Sequence, residues 1–557
     1  MKGTGVSQGI GHGPAYVLTA SVPEPPAGQT FTGEAVQEKE RALAALKQVA
    51  GALEARGDKA GGEAREILQA QALMAEDPGL IVGVKSLIDG GLAAPRAVYE
   101  SFGRYRDLLA KAGGYLGERV ADLDDIRDRV IAQLTGLPLP GLPVEAAEPY
   151  VLIARDLAPA DTALLSRDVV AAFVTEEGGP TSHTAILAKA MGVPAVVACA
   201  GATTIRPGAR VLVDGSTGEV RLEPSDDDVA TAVGAQESRQ AAIAAVRGPG
   251  RTKDGHLVPL LANIGGPGDL DPALANGAEG VGLYRTEFLF LDRAQAPSIE
   301  EQEAAYRAVL EAFPGGKVVV RTLDAGADKP LAFLKPSAPE PNPALGERGL
   351  RMFRLHPEVM AVQLAALAAA AAGTDAELHV MAPMVATAEE ARWFAGACRA
   401  AGLPSAGVMI EVPAAALRAH GLAQEVDFFS IGTNDLSQYT FAADRQVGAL
   451  AGLQDPWQPA LLDLVAATAT AASDNGRQCG VCGESAADPV LACVLAGLGV
   501  STLSMSATAL PAVRAALAVS TLDECGRAAH AARGQATARH ARAAARSNLP
   551  GLAELGL

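Results

Sequence analysis

Eight short apolar runs, most of them separated by helix-like stretches, recur between residues 255 and 530 of the sequence. The runs are VPLLANIG (258–265), GVGLYRTE (280–287), KVVVRTLD (317–324), LHVMAPMV (378–385), GVMIEVP (407–413), DFFSIGTND (427–435), CGVCGE (479–484) and STLSMS (501–506). Parallel strands need long crossover connections, usually helices, so a regular alternation of the two is typical of a parallel sheet. Eight such units predict a (β/α)8 TIM-type barrel, and a doubly wound open sheet is the alternative.

The residue pattern before these runs is different and indicates further domains. Residues 1–20 and 144–224 contain short apolar runs broken by Gly, Pro and Asp, which is typical of α/β structure. Residues 21–143 interleave charged residues with Ala and Leu at helical spacing. We therefore expect an α/β domain with an inserted α-helical bundle. The predicted order then continues with a helical linker over 225–254, the barrel over 255–535 and a C-terminal tail over 536–557.

Charge and cysteine usage limit the function class and the compartment. The 557 residues carry a formal net charge of −18, which argues against nucleic acid or an anionic membrane surface as the main partner. Six cysteines spread over so long a chain do not form a disulfide framework, so a reducing, cytoplasmic location is expected. The most apolar helix-like run, residues 359–373, is too short to span ~30 Å of hydrocarbon, so no membrane insertion is expected.

Polar and charged residues stand at the carboxyl ends of five of the eight apolar runs. In a barrel these ends meet on one face, which is where the active site of this fold lies. A structural ion pair explains one charged strand end more easily than it explains five. The residues are Arg285 and Glu287, Arg321 and Asp324, Glu411, Asn434 and Asp435, and Cys482 and Glu484.

The residue types on this face indicate an anionic ligand. Arginine is a permanent cation whose fork geometry matches phosphate and carboxylate. Two carboxylates, Glu411 and Asp435, suit Mg²⁺, which keeps several waters and takes its other ligands from substrate phosphate. A small substrate that contains phosphate is therefore predicted, and a surface salt bridge is the alternative for each arginine taken alone. The arginines are Arg285, Arg321, Arg348 in NPALGERG and Arg445 in AADR.

Cys479 and Cys482 form a CxxC sequence. A zinc or redox site needs a second pair or a thioredoxin-like context, and neither is visible in the sequence. At the end of a barrel strand, Cys482 is better placed to act as a proton donor or a nucleophile. Cys479 would lie earlier on the same strand and be structural.

A single histidine, His183, follows a Gly-Gly-Pro turn in the stretch EEGGPTSHTAILAKAMGVP, residues 176–194. Imidazole has a pKa near ~6.5, so a neutral nitrogen lone pair is available at physiological pH. The free N–H groups at a helix start favour an added phosphate, and Thr181 and Ser182 offer capping hydroxyls. A phosphohistidine and a histidine that is incidental to a helix cap both remain open from this stretch alone.

The chain from residue 2 to about 535 resembles the Enzyme I family of the bacterial sugar phosphotransferase system, the phosphoenolpyruvate–protein phosphotransferases. GGPTSHTAILAKAMGVPAVV looks like the family's phosphohistidine signature, and GLYRTEFLF, VVRTLDAGADK, VMIEVPAA, DFFSIGTNDLSQYTFAADR and VCGES look like its barrel motifs in order. YLGERVADLDDI and ALMAEDPGL resemble parts of its helical subdomain. The resemblance implies a swivelling phosphohistidine domain, a helical subdomain that docks the phosphocarrier HPr, and a homodimer formed through the barrels.

The resemblance also implies roles for single residues. His183 would accept the phosphoryl group from phosphoenolpyruvate through Nε2, and Thr162 would orient the imidazole ring. Glu411 and Asp435 would hold Mg²⁺, and Cys482 would protonate the enol carbon to release pyruvate. The residues expected to bind phosphoenolpyruvate are Arg285, Arg321, Arg348, Asn434 and Arg445.

Some positions depart from the family pattern, and two other functions remain to be weighed. Ala327 replaces a glycine, Glu347 replaces a Trp or Val, and a histidine that is common in the docking region of the family is replaced near Gln71. The first two are expected to affect phosphoenolpyruvate affinity slightly, and the third affects partner recognition.

The alternative functions are an enzyme similar to pyruvate phosphate dikinase or phosphoenolpyruvate synthase, which needs a nucleotide-binding domain, and a non-catalytic regulatory paralogue.

Overall fold

The computed structural model describes most of the chain, in two compact units formed by residues 1–236 and 237–557. Each unit has its own buried apolar core. None of the described helices is long and apolar enough to cross a membrane. The residues that it does not describe are 19–21, 61–70, 113–119, 138–145, 147, 158–164, 166–167, 180–181, 292, 327–330, 336, 339 and 445–447.

The first unit contains a seven-stranded sheet in the order β1-β5-β4-β3-β2-β6-β7. β2 to β5 form its parallel part, and β1, β6 and β7 add to it in antiparallel pairings. β1 and β2 share this sheet with strands that begin at residue 150, as the sequence predicts. The strands are β1 (Thr4–Ser7), β2 (Ile10–Val17), β3 (Tyr150–Ala154), β4 (Val170–Thr175), β5 (Ala195–Val197), β6 (Arg210–Asp214) and β7 (Glu219–Leu222).

Four described helices lie between β2 and β3 and form a second core within this unit. Asp77 caps one of them by accepting a hydrogen bond from the backbone N–H of Leu80 at 2.9 Å. Leu80, Val84 and Ile88 then lie one turn apart on its buried face. The helices of the unit are α1 (Ala35–Ala60), α2 (Pro78–Asp89), α3 (Ala94–Ala112), α4 (Val120–Thr135), α5 (His183–Met191) and α6 (Asp226–Ala245), the last of which continues past residue 236.

The second unit is a closed barrel of eight parallel strands, in the order β10-β11-β12-β13-β14-β15-β8-β9. Closure confirms the predicted TIM-type barrel and shows that the doubly wound alternative is wrong. Each strand lies within or overlaps one of the eight apolar runs. The strands are β8 (Leu260–Ile264), β9 (Gly280–Arg285), β10 (Lys317–Arg321), β11 (Glu377–Ala382), β12 (Ala406–Ile410), β13 (Phe428–Gly432), β14 (Gln478–Cys482) and β15 (Thr502–Met505).

Helices surround this barrel and bury its outer face. Val318 and Val320 of β10 contribute to the outer core, whereas Val319 points to the barrel interior, as alternation along a strand requires. The helices are α7 (Leu270–Ala275), α8 (Ile299–Ala312), α9 (Leu350–Leu355), α10 (Pro357–Ala371), α11 (Ala388–Ala400), α12 (Pro413–Leu417), α13 (Ala419–Leu422), α14 (Thr433–Phe441), α15 (Pro459–Asp474), α16 (Glu484–Ala487), α17 (Pro489–Gly497), α18 (Leu510–Ala518), α19 (Leu522–Arg533) and α20 (Ala538–Ser547).

The C-terminal segment is part of the barrel unit. Ala541 and Ala545 form the buried face of α20, and Leu549 and Leu552 beyond it belong to the same core as the barrel strands. The four side chains are almost fully buried. These residues of the predicted C-terminal tail therefore pack on the barrel.

Candidate active site

The predicted site residues that the structure describes in the barrel lie at the carboxyl ends of its strands. Arg285, Arg321 and Cys482 are the last residues of β9, β10 and β14. Glu411 directly follows β12, and Asn434 and Asp435 form the first turn of α14, directly after β13. Arg348 reaches the same place from the chain between β10 and α9, through the contacts described next.

Two buried guanidinium groups share one buried carboxylate. Arg348 donates to Asp324 through Nε at 3.0 Å and Nη2 at 2.9 Å, which is the paired geometry of a strong ion pair. Arg321 lies 3.3 Å from the same carboxylate and donates a hydrogen bond to Glu287. Nη1 of Arg348 also donates to Asp435 at 3.2 Å. Asp324 and Arg348 therefore fix the position of Asp435, one of the two predicted metal ligands.

Arg285 differs from the other two arginines, because it is only half-buried. Its side chain makes no hydrogen bond or ion pair with the described residues. A cation with this environment at the barrel end can bind an anion without first breaking a protein contact. Asn434 is also half-buried, and its Oδ1 accepts a hydrogen bond from the backbone N–H of Glu484 at 3.4 Å.

Glu411 is fully buried and has the features of a cation ligand. Its Oε1 accepts a hydrogen bond from the backbone N–H of Met384 at 2.7 Å, whereas Oε2 accepts none from the described residues. Burial, and then the charges of Asp435 and Asp324, raise the pKa of Glu411 to about 8. A cation bound between Glu411 and Asp435 would reverse that penalty, so these two carboxylates fit a divalent metal.

The formal charges at the barrel end favour the same conclusion. Among the described ranges, no group of three or more His, Cys, Asp and Glu side chains is arranged to hold a metal. Two carboxylates suit Mg²⁺, which keeps waters and binds substrate phosphate. The buried or half-buried charged side chains here are three arginines and four acids, so their net formal charge is negative. A divalent cation would make this net charge positive, which favours an anionic ligand. These side chains are Arg285, Arg321, Arg348, Glu287, Asp324, Glu411 and Asp435.

Cys482 lies on the inner face of the barrel, in an apolar cluster with Met409 and Phe428. Its Sγ accepts a hydrogen bond from Oγ of Ser430 at 3.4 Å. Burial raises the pKa of the Cys482 thiol, and the hydrogen bond from Ser430 opposes that rise. The thiol therefore keeps its proton at neutral pH, as a proton donor must.

Cys479 and Cys482 lie on opposite faces of β14. Cys479 belongs to the outer core between strands and helices, and Cys482 to the interior cluster. Burial raises the pKa of Cys479 to about 12, so it is an inert thiol. Two cysteines that point to opposite faces of one strand cannot chelate one zinc ion or form a disulfide with each other.

The stretch around His183 forms a capped helix start. His183 is the first residue of α5, and Ser182 caps the helix by accepting a hydrogen bond from the backbone N–H of Ala185 at 3.3 Å. Gly178 has φ +95°, and a Cβ there would lie 3.1 Å from Oγ of Ser182, so glycine permits the cap. Ser182 is therefore a cap, as predicted, and Thr181 lies outside the described residues.

Three predicted site features lie outside the described residues. They are Thr162, Arg445 and the side chain of His183. Their roles remain predictions. Of the departures from the family pattern, Ala327 is also outside the described residues, Gln71 is buried in the first unit, and Glu347 accepts a hydrogen bond from the backbone N–H of Ser337 at 2.6 Å.

Sequence reasoning assigned no role to three residues that organise this site. Asp324 and Glu287 stand at strand ends in the sequence, but only the structure shows that they hold Arg321 and Arg348. Met384 adopts φ +57°, which is strained for a non-glycine residue, and this places its N–H on Glu411. Proximity to a strand end could indicate the two acids, whereas no sequence signal indicates the backbone of Met384.

Comparison with known proteins finds relatives that match nearly the whole chain. Family models match residues 2–119 as "PEP-utilising enzyme, N-terminal", 146–218 as "PEP-utilising enzyme, mobile domain" and 239–522 as "PEP-utilising enzyme, PEP-binding domain". A phosphoenolpyruvate-protein phosphotransferase of Streptomyces coelicolor is 60% identical over 99% of both chains. The chain belongs to the phosphoenolpyruvate-protein phosphotransferase family.

More distant members of the phosphoenolpyruvate-protein phosphotransferase family match most of the chain as well. The Haloferax volcanii protein of that name is 41% identical over 92% of this chain and 93% of its own length. The Bacillus subtilis protein is 39% identical over 92% of both chains. Because these matches run through both units, the relatives have the same overall organisation and not only a barrel in common.

Proposed function

We propose that this enzyme transfers the phosphoryl group of phosphoenolpyruvate to His183, releases pyruvate, and passes the group to a histidine of the phosphocarrier HPr. This is the first step of the sugar phosphotransferase system. The relatives' name supports the overall reaction. The observation that carries the proposal is the barrel end itself, where arginines, two crowded carboxylates and a protonated thiol meet.

Phosphoenolpyruvate would bind at the barrel end through its two anionic groups. Arg285 is available for this because it has no described partner, and Arg321, Arg348, Asn434 and Arg445 are the other proposed contacts. Arg348 is already bound to Asp324 and Asp435, so it would act partly by holding Asp435 in place. Glu411 and Asp435 would hold Mg²⁺, which when bound supplies charge neutralisation for the phosphate and for the enolate.

The phosphoryl transfer leaves an enolate that must gain a proton at carbon. His183 would attack phosphorus with its neutral ring nitrogen, and the bond from phosphorus to the enol oxygen would break, leaving the electron pair on that oxygen. Cys482 would then give its proton to the terminal carbon, forming the methyl group of pyruvate and a thiolate. General acid catalysis of this kind contributes roughly 10²–10⁴-fold to a rate.

His183 would carry the phosphoryl group away from the barrel. Its place at the start of α5 supports this role, because the N–H groups of a helix start stabilise a phosphate. Thr162 would orient the ring. We propose that residues 1–20 and 144–224 move as the phosphohistidine domain, that residues 21–143 dock HPr, and that the barrels form a homodimer. All six cysteines are free thiols, which supports a cytoplasmic location.

Labelling with phosphoenolpyruvate that carries ³²P tests the proposal. The wild type with Mg²⁺ is expected to take up label at His183 and to transfer it to purified HPr. His183→Ala should take up none, and chelation of Mg²⁺ should abolish uptake. Full labelling of His183→Ala, or no labelling of the wild type, would refute the proposal. ATP-dependent labelling of His183 would instead support an enzyme of the dikinase type.

The variant Cys482→Ala tests the proposed acid separately from the proposed phosphoryl acceptor, His183. Pyruvate release by this variant is expected to fall about 10²–10⁴-fold, while the binding of phosphoenolpyruvate stays unchanged. Pyruvate release at the wild-type rate would show that another group protonates the enolate.

A further inference from the structure

The sulfur atom of Cys482 is held by two hydrogen bonds to the neighbouring strand. Oγ of Ser430 donates to Sγ at 3.4 Å, and Sγ in turn lies 3.5 Å from the backbone carbonyl oxygen of Ile431, to which the thiol donates. β13 and β14 pair in parallel with Gly432 opposite Cys482, and this register brings Ser430 beneath the sulfur. Ser430 and Cys482 are both buried.

We propose that Ser430 is a positioning residue for the proton transfer, and that its hydroxyl stabilises the thiolate that Cys482 becomes. The inference rests on the proposed function. In the transfer, the S–H bond breaks, its electron pair stays on sulfur, and the proton bonds to the terminal carbon of the enolate. The hydrogen bond to Ile431 requires the thiol proton and is lost, whereas the one from Ser430 remains and becomes charge-assisted.

The surroundings make this one donor important. Cys482 packs in a cluster of apolar side chains, with Leu283, Val319 and Met381 beside Met409 and Phe428. A thiolate formed there has lost most of its contact with water, so every donor to sulfur lowers the cost of forming it. An acid whose conjugate base is better stabilised gives up its proton more readily.

Charged groups from other strands also act on this sulfur. Arg321 on β10 and Arg285 on β9 favour the thiolate, whereas Glu411 after β12 opposes it. Of the groups that act on the sulfur, Ser430 is the one that donates a hydrogen bond directly to Sγ in the described structure. Its effect is therefore separable from theirs by removing one oxygen atom.

If the hydroxyl of Ser430 only filled space in the barrel interior, its removal would have the same effect on Cys482 as the removal of another buried hydroxyl nearby. Ser504 on β15 provides the comparison, because it pairs with Cys482 from the other side of β14 and is equally buried. Its hydroxyl is bonded to Asn263 and not to the sulfur. Removing the hydroxyl of Ser504 therefore changes packing near Cys482 without changing the hydrogen bonds to Sγ.

The test compares the thiol in full-length variants with Mg²⁺ present. The rate of iodoacetamide alkylation of Cys482 is measured against pH by mass spectrometry. In Ser430→Ala the midpoint is expected to rise by about one pH unit, a tenfold loss of thiolate at a fixed pH. Ser504→Ala is expected to keep the wild-type midpoint. An unmoved midpoint in Ser430→Ala, or an equal shift in Ser504→Ala, overturns the inference.

Two substitutions of nearly equal shape distinguish loss of the hydrogen bond from misfolding of the variant. Ser430→Thr keeps the donor and Ser430→Val removes it, while the two side chains have nearly the same shape. We expect Ser430→Thr to release pyruvate about tenfold faster than Ser430→Val, with equal KM for phosphoenolpyruvate. Equal rates contradict the inference. The alkylation midpoint needs no turnover, so it decides whether Ser430 stabilises the Cys482 thiolate even if Cys482→Ala refutes the proposed acid.

Discussion

At the scale of single residues, Asp324 is the common acceptor for two buried guanidinium groups. Removing its charge by Asp324→Asn leaves Arg321 and Arg348 without their shared counter-ion in a buried site. Breaking a buried ion pair in this way costs about 3–5 kcal/mol. Both tryptophans, Trp393 and Trp457, lie in residues 237–557, so urea denaturation followed by tryptophan fluorescence reports on this unit.

Glu377→Gln is the matched control for that measurement. Glu377 is an acid of the same barrel, on β11, but its side chain is 69% exposed. Removing an exposed charge is expected to change stability by less than about 0.5 kcal/mol. A cost for Asp324→Asn that is no larger than the cost for Glu377→Gln would show that the buried arginines do not depend on Asp324.

His379 is predicted to make the barrel sensitive to acid. Its Nδ1 lies 2.8 Å from Oγ of Ser405, and its ring packs edge-on against Phe428. Burial, and then the ammonium group of Lys317, lower the pKa of His379 to about 4. Between about pH 6.5 and 4 the unfolded chain binds a proton that the folded chain does not, so stability falls as pH falls, by up to about 3 kcal/mol.

Denaturation curves at several pH values check this prediction. His379→Gln should flatten the decline in unfolding free energy between pH 6.5 and 4. His420→Gln removes an exposed histidine of the same unit and should leave the decline as it is. Parallel declines in the wild type and His379→Gln would mean that another group causes the acid sensitivity.

At the scale of elements, the turn after β14 positions the first turn of α14. Gly483 has φ +110°, and a Cβ there would lie 2.9 Å from Oγ1 of Thr433 and 3.1 Å from Oδ1 of Asn434. Gly483→Ala is therefore expected to push Asn434 away and to strain the backbone by about 1–3 kcal/mol. We expect a several-fold rise in KM for phosphoenolpyruvate, measured by steady-state pyruvate release.

Gly476→Ala is the control that separates the effect of displacing Asn434 from the effect of backbone strain. Gly476 also has a positive φ, +64°, but a Cβ there would meet nothing within 4 Å. It should cost about 1 kcal/mol of stability and leave KM unchanged. Equal KM values for the two variants would show that Asn434 does not depend on the space that Gly483 leaves.

The strands of the barrel could be predicted from sequence because their signal is local. Each overlaps a short apolar run, and five of the eight runs carry polar or charged residues at their carboxyl ends. The contacts between strands could not be predicted. That Ser430 lies beside Cys482 depends on the register of β13 and β14, and that Asp324 binds Arg348 depends on a contact between residues 24 positions apart that both lie outside the strands.

At the scale of the whole molecule, the chain contains two units, each with its own core and each with different proposed catalytic groups. The barrel unit holds the proposed donor site and acid, and the first unit holds His183 at the start of α5. The sequence predicts a helical linker over 225–254 before the barrel runs begin. The barrel core, however, also includes the C-terminal residues that the sequence analysis treated as a tail.

Because each unit has its own core, a cavity in one core is expected to destabilise that unit alone. Leu552 lies in the barrel core and Leu46 in the helical core of the first unit, and both are almost fully buried. A buried Leu→Ala change costs about 2–5 kcal/mol. In differential scanning calorimetry, Leu552→Ala should lower the transition that tryptophan fluorescence also detects, and Leu46→Ala should lower a transition that fluorescence does not. A Leu552→Ala variant with the wild-type fluorescence transition would show that the C-terminal segment adds no stability to the barrel.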